Sequence, residues 1–373
     1  MNIDSDVTST ELLFKIIKCI YFNNCEDVDL LGTLDPHREK FLVTDLLQLL
    51  DKNKFLVTLI DNYYHIFSSE HMKKLILKSL ERDRNYERRY FMILRNVINV
   101  LNEAKINYVL IKHYLMKHVK MMDVDLHICD LDEILRACEY LNKLGVIFYN
   151  FRLFSHPLKL GMKIPHIDEA CEISVEIYPE IAAGRIILGP LCEFVGKAIK
   201  TDITFDEDEK VNAYVLPVTE NIYTIITHDW YSQHIPLAAV VYFLMNANQC
   251  DVDRLLQLGN EYGTLHSIYT FLKISLILDR KMQLDTLAMG IQKTLERINV
   301  YGKTLIDHWL EKIERNLEFP IIIPYKFILL SMPFHISKIA KKVNIAKVLY
   351  DIYSHFSPVA IYLYNLTKKA FYV

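Results

Sequence analysis

The spacing of apolar residues changes partway along this chain, and that change restricts the fold more than any other feature. Up to about residue 104 they recur at intervals of three and four, the period of a helix with one buried face. Leu12, Leu13, Ile16, Ile17 and Ile20 make one such face behind Ser9 and Thr10, the predicted cap. Leu42, Leu46, Leu49 and Leu50 repeat the spacing. A further helix is predicted from Asn85 to Ala104, burying Tyr90, Ile93, Leu94, Val97, Leu101 and Ala104. Its other side carries Arg84, Arg88, Arg95 and Asn99, which reads as solvated surface.

After Asn107 the period shortens to that of strands. Tyr108-Val109-Leu110-Ile111 reads as a buried strand, and Val124 to Ile128 as a second, with Asp123 and Asp125 alternating against Val124 and Leu126. Asp130 with Glu133 resembles a capping box, opening a helix through Leu135, Cys138, Leu141 and Leu144 that Gly145 ends. Val146 to Leu153 reads as a third strand and Cys171 to Tyr178 as a fourth. In the fourth, Ile173, Val175 and Ile177 face one way, and Glu172, Ser174, Glu176 and Tyr178 the other. Asp202 to Lys210 reads as an acidic solvent loop, and Tyr214-Val215-Leu216 as a last edge strand. From Thr219, the predicted cap of a helix over Ile222 to Trp230, the pattern is helical again. The expected fold is therefore α+β. A mixed-sheet core over residues 83–217 lies between an N-terminal helical region (1–82) and a C-terminal one (218–373).

Composition narrows the function classes. The net charge of −3 gives no global field that would draw the chain to DNA or acidic membranes. The seven cysteines form no C-x-x-C pair, which points to buried reduced thiols rather than a zinc ribbon. The first residues lack the basic start and apolar run of a signal peptide, and Phe319 to Phe334 is broken by Pro320, Pro324, Lys326 and Pro333. A cytoplasmic protein with no membrane span is expected. Neither a Gly-x-Ser-x-Gly nucleophile motif nor a Walker loop occurs.

The chemistry lies in the alternating acids. Residues two apart on a strand share a face, so Asp123 and Asp125 point the same way. Paired hard oxygen ligands suit Mg²⁺ or Mn²⁺, which also take phosphate oxygens. Without a cation, or a Lys or Arg nearby, the two would repel. On that ground Asp123→Asn or Asp125→Asn should leave the fold intact or slightly more stable. Glu176, on its own polar-faced strand, would complete a three-carboxylate clamp of the kind phosphoryl and nucleotidyl transfer require. Glu172 is the substitute if Glu176 points into the core.

The order of these pieces resembles a family. A helix, strand Tyr108–Ile111, Lys112-His113, nine residues, Asp123-Val124-Asp125-Leu126 and then Val175-Glu176-Ile177-Tyr178 look like the DNA polymerase beta-like nucleotidyltransferase superfamily. More closely they resemble its "uncharacterised nucleotidyltransferase family". Lys112-His113 stands where that family has Lys-Gly, and Glu176-Ile177-Tyr178 where it has Glu-Leu-His. His166 could match a family histidine, and Thr227-His228-Asp229 a helix carrying one. Asp251 to Leu256, followed by Glu261-Tyr262-Gly263, resembles a later helix. The similarity spans residues 10–265.

The resemblance implies metal-dependent transfer of a nucleoside monophosphate from an NTP to an acceptor hydroxyl. Asp123, Asp125 and Glu176 would be the metal-binding and catalytic carboxylates, with Glu176 also helping to deprotonate the acceptor. Lys112 and His113 would lie at the nucleotide. RNA, a protein side chain, a sugar phosphate and an antibiotic-like molecule all remain open as acceptor, and the oligomeric state is unassigned. The alternative is a degenerate nucleotidyltransferase fold that binds nucleotide or a partner without turnover.

His113 occupies a loop where the superfamily has Gly-Ser or Gly-Gly, and Met121 and Met122 stand where an Arg often precedes the acids. The imidazole either turns out of the cleft or fills the phosphate site, and the first is favoured. His127 reads as a hydrogen-bonded strand histidine, and the spacing of His228 and His234 does not suit metal ligands on one helix. Ile321–Val373 holds seven Lys and one Asp, simplest as a solvated basic face.

Overall fold

A computed structural model describes residues 8–23, 36–66, 69–121, 123–143, 147–149, 161–163, 173–178, 182–183, 186–187, 191–206, 209–287 and 289–339. In chain order these form α1 (Ser9–Phe22), α2 (Pro36–Lys52), a 3₁₀ segment (Val57–Ile66) and α3 (Glu70–Glu103). Next come β1 (Val109–Leu110), β2 (Asp123–His127), α4 (Leu131–Asn142), β3 (Ile147–Tyr149), β4 (Gly161–Lys163) and β5 (Ser174–Tyr178). Then follow β6 (Ala182–Ala183), β7 (Ile186–Ile187), α5 (Leu191–Val195), β8 (Ile199–Asp206) and β9 (Glu209–Val215). The rest is α6 (Val218–Tyr231), β10 (His234–Ile235), α7 (Leu237–Met245), α8 (Val252–Tyr262), α9 (Leu265–Met282), α10 (Met289–Arg297), α11 (Lys303–Arg315), β11 (Ile321–Ile322) and α12 (Tyr325–Ile339). The protein is mixed α+β. No helix among the described residues is long and apolar enough to cross a membrane.

The main sheet has the order β5-β2-β1-β9-β8. β1 runs antiparallel to β2 and parallel to β9, while β2 and β5 run parallel. One face of its centre is apolar: Leu110, Val124, Leu126, Val175 and Ile177 join Tyr90, Leu94, Val97 and Leu101 of α3 and Ala137 and Leu141 of α4 in one cluster. The opposite face is polar on β2 and β5. Beyond it lies a second, larger cluster in which α1, α2, α6, α7 and α9 share one core. The N-terminal and C-terminal helical regions thus pack together, and the polar face of the sheet looks toward them.

Several local expectations change. The first helix is capped by Thr8, not Ser9 or Thr10; Thr8 and Glu11 form a reciprocal capping box. The helix expected from Asn85 begins at Glu70, with Ser69 accepting from the Met72 N–H. Buried Met72, Ile76 and Leu80 continue its apolar side backward. Asp130 caps α4, but Glu133 does not reach back to it. Its carboxylate accepts instead from the Asn107 side chain at 2.8 Å. Thr219 is not the cap of α6. Its hydroxyl accepts from the Asp251 N–H at 2.9 Å.

The expected acidic loop from Asp202 to Lys210 is the arms of the β8–β9 hairpin, and the expected edge strand is interior to the sheet. On β9 the alternate residues Val211, Ala213 and Val215 are buried, and Ile203 is buried on β8, while Asp202, Thr204, Lys210 and Asn212 are exposed. Asn212 donates to Asp202 across the ladder at 2.8 Å. Cys129, Cys138 and Cys250 are free, but Cys19 is disulfide-bonded, against the expectation of reduced thiols. A disulfide needs only close approach of two Cα atoms, which the lack of a C-x-x-C motif does not exclude.

One glycine is required by its backbone. Gly263 ends α8 at φ 70°, and a Cβ there would lie 2.4 Å from the Phe334 carbonyl oxygen of α12. Gly263→Ala is expected to destabilise the protein by about 2–4 kcal/mol, combining left-handed strain with a backbone clash. A denaturant midpoint unchanged from wild type would refute this.

Candidate functional site

Register decides which side chains meet. Asp123 pairs with Ser174, Asp125 with Glu176 and His127 with Tyr178 across parallel β2 and β5. In-register neighbours share a face about 4.8 Å apart, so these six make one polar patch on the sheet face away from α3 and α4. Glu176 does not point into the apolar core, so the substitute Glu172, which lies outside the described residues, is not needed.

Each carboxylate already has a protein partner. The Ser174 hydroxyl donates to Asp123 and the Tyr178 hydroxyl to Glu176. The Lys112 ammonium pairs with Asp125 Oδ1 at 2.8 Å and donates to the Tyr178 hydroxyl at 3.2 Å, lying 4.4 Å from the Tyr178 ring centre. Asp125 and Glu176 are buried, and only about a tenth of the Lys112 and Asp125 side chains is exposed. Burial, then the charges of Asp125 and Glu176, push the Tyr178 hydroxyl well above its usual pKa, so it remains a donor.

Lys112 reaches Asp125 because its backbone turns sharply where β1 ends. It sits at φ 55° without being glycine, and Leu115 (φ 49°) and His118 (φ 62°) repeat the left-handed turn. His113 then points elsewhere. Its ring is buried 6.3 Å from that of Tyr90, and its Nδ1 accepts the Leu115 N–H at 3.1 Å. That N–H is therefore spent within the loop and cannot meet a phosphate. Burial lowers the His113 pKa to about 4, against the pull of Asp125, so the ring is neutral. Asn221 of α6 donates to the His113 carbonyl at 2.7 Å and ties the loop to the helical half. On its far side the loop borders a cavity of about 650 Å³, lined by Tyr86, Tyr90, His113, Met116, Arg88 and Lys117 among others. Asp123, Asp125 and Glu176 do not line it, though its Tyr90 and His113 feel the charge of Asp125.

The reading of His127 as a hydrogen-bonded strand histidine holds: it is fully buried, with Nδ1 donating to the Tyr178 carbonyl at 2.7 Å. His234 donates to the Ser232 carbonyl at 3.0 Å. His166 lies outside the described residues, as does most of the basic C-terminal segment. Among the described residues, no three or more His, Cys, Asp or Glu side chains are already gathered closely enough to hold a metal ion.

The sequence pointed to Thr227-His228-Asp229 through the resemblance but gave these residues, the second half of the site, no place in it. His228 and Asp229, at the end of α6, lie beside the 112–114 loop, with His228 Nδ1 3.3 Å from Asp229 Oδ1 and Lys54 Nζ 3.9 Å from the same oxygen. Asn221 and His228 are seven apart on α6, so they share a helix face. That spacing was the available signal.

The arrangement defines a class no finer than a mixed α+β protein with an acidic, lysine-paired patch on one sheet face. No protein-family model matches the chain, and no curated protein or solved structure matches it either.

Proposed function

We propose that the chain is a metal-dependent nucleotidyltransferase that moves an NMP from an NTP to an acceptor hydroxyl. One observation carries the reading. Asp125 and Glu176 are register partners on parallel strands, Asp123 precedes Asp125 by two on the same face, and the neighbouring antiparallel strand delivers Lys112 to that face. The residues fit a divalent cation by donor chemistry and by charge. Three carboxylates against one ammonium leave an excess of two negative charges on the patch. Asp123, Asp125 and Glu176 would hold Mg²⁺ or Mn²⁺, and when bound the cation would neutralise charge on the phosphates during transfer. Ser174 and Tyr178 orient Asp123 and Glu176 by hydrogen bonding. Lys112 supplies a point charge that a triphosphate would compete for with Asp125.

A second reading, a nucleotide-binding fold without turnover, is favoured by the same lysine. Its ammonium already neutralises Asp125, and His113 already uses the Leu115 N–H that a phosphate-cradling loop would present.

The test is incubation with each labelled NTP, Mg²⁺ or Mn²⁺, and total RNA plus lysate. Label transfer by wild type and its loss in Asp123→Asn, with an unchanged melting temperature, are expected. The Ser174 hydroxyl can still donate to the new amide oxygen. NTP binding without transfer selects the second reading, and absence of both refutes both.

A further inference from the structure

Glu176 is a poorly placed proton acceptor, because it is buried and its carboxylate already accepts from Tyr178. The α6 end offers another. We infer that His228 takes the proton from the acceptor hydroxyl, with Asp229 fixing its tautomer; this rests on the nucleotidyltransferase reading.

Asp229 is almost wholly buried, and its Oδ2 has no hydrogen-bond partner among the described residues. A buried carboxylate holds its place only when compensated, and among the described residues the His228 ring and the more distant Lys54 ammonium lie beside it, with the buried Tyr114 hydroxyl within reach of its charge. An ionised carboxylate only accepts, so His228 Nδ1 must carry the hydrogen shared at 3.3 Å. That leaves Nε2 with a lone pair on a side chain 27% open to solvent. The His–Asp pair therefore presents a neutral imidazole, oriented by a carboxylate, to its exposed side.

Its place follows from α6. Two turns earlier on the same face, Asn221 holds the His113 carbonyl, so His228 stands over the loop that carries Lys112. The charged groups facing the ring are Lys112 from the loop, Asp229 from its own helix and Lys54 after α2. Burial first, then Lys112, lower its pKa to about 4. A polyphosphate beside Lys112 would offset that cation and raise the ring's proton affinity toward the working range. In the step, the acceptor oxygen forms a bond to the α-phosphorus as its proton passes to Nε2. The bond from that phosphorus to the bridging oxygen breaks, pyrophosphate leaves with the electron pair, and Nε2 returns the proton to solvent.

Two measurements test this. In the first, His228→Ala is compared with wild type for transfer rate, NTP binding and melting temperature. A kcat at least about a hundredfold lower, with binding and melting unchanged and partial rescue by added imidazole, is expected. Wild-type kcat in the variant, or a loss that imidazole does not rescue, overturns the role of His228 and leaves the transferase reading standing. A wild-type protein that transfers nothing overturns both. The second measurement needs no activity. ¹⁵N NMR of the histidines at pH 7 should find His228 protonated on Nδ1, and the Nε2–H tautomer would overturn the assignment. Asp229→Asn should weaken that tautomer preference.

Discussion

Lys112→Met is expected to lower stability in metal-free buffer by on the order of 3 kcal/mol, and millimolar Mg²⁺ is expected to restore much of the loss. Lys112 and Asp125 form an ion pair with about a tenth of each side chain exposed, and removing one member of such a pair leaves a buried charge uncompensated. Here the penalty is compounded, since Asp125 would then face Glu176 across adjacent strands without the Lys112 ammonium to offset their like charge. Methionine keeps the length and apolar contacts of the lysine stem, so the effect isolates the charge. A divalent cation that binds the three carboxylates stabilises the folded state by mass action, about 1.4 kcal/mol at ten times its Kd. Wild type should gain less, because there Mg²⁺ competes with Lys112. If Mg²⁺ leaves the variant's melting temperature unchanged, the patch does not take a cation and the non-turnover reading prevails.

The mirror variant reverses an expectation drawn from sequence. Taken alone, the spacing of Asp123 and Asp125 suggests that neutralising either acid relieves repulsion. For Asp125 the dominant neighbour is not Asp123 but Lys112, so Asp125→Asn strands an ammonium and should destabilise. Asp123 is held by a neutral hydroxyl, and its change to Asn carries no such cost.

Which side chains share the polar face was legible because strand alternation is a local rule: Val124, Leu126, Val175 and Ile177 mark the apolar face, and the acids fall on the other. Pairing β2 with β5 in the register that sets Asp125 beside Glu176 is a non-local event with no sequence marker. The Lys112 ion pair was hidden for a similar reason. It depends on a left-handed backbone at a residue that is not glycine, which composition does not announce. The β8–β9 hairpin was misread because its outward residues Asp202, Thr204, Glu209 and Lys210 are polar and its inward ones, Ile203, Val211, Ala213 and Val215, are spread across the turn. The extension of α3 back to Glu70 was obscured by charged residues around Met72, Ile76 and Leu80. The site's second half sits more than a hundred residues from Lys112, and only the packing of α6 joins them.

Stability should also fall as the pH drops from about 6.5 toward 4, before most carboxylates titrate. His113 is buried and neutral, with a folded-state pKa of about 4 against an ordinary value of 6.5. Below 6.5 the unfolded chain binds a proton that the folded one refuses, so stability declines with falling pH across that window and levels off below the folded pKa. The difference corresponds to about 3 kcal/mol for His113 at full effect. His228, also lowered to about 4, contributes less, because its side chain is partly exposed and solvent screens it. Burial shifts His118 and His266 in the same direction, steepening the decline. His113→Asn separates the local term, since the amide oxygen can take the place of Nδ1 as acceptor for the Leu115 N–H while the group no longer titrates. Unfolding free energies at pH 7.5, 6, 5 and 4.5 should show a steep fall in wild type and a distinctly shallower one in the variant. Equal slopes would mean that His113 is either accessible to protons or hydrogen-bonded through Nε2, and the buried, neutral ring would have to be abandoned.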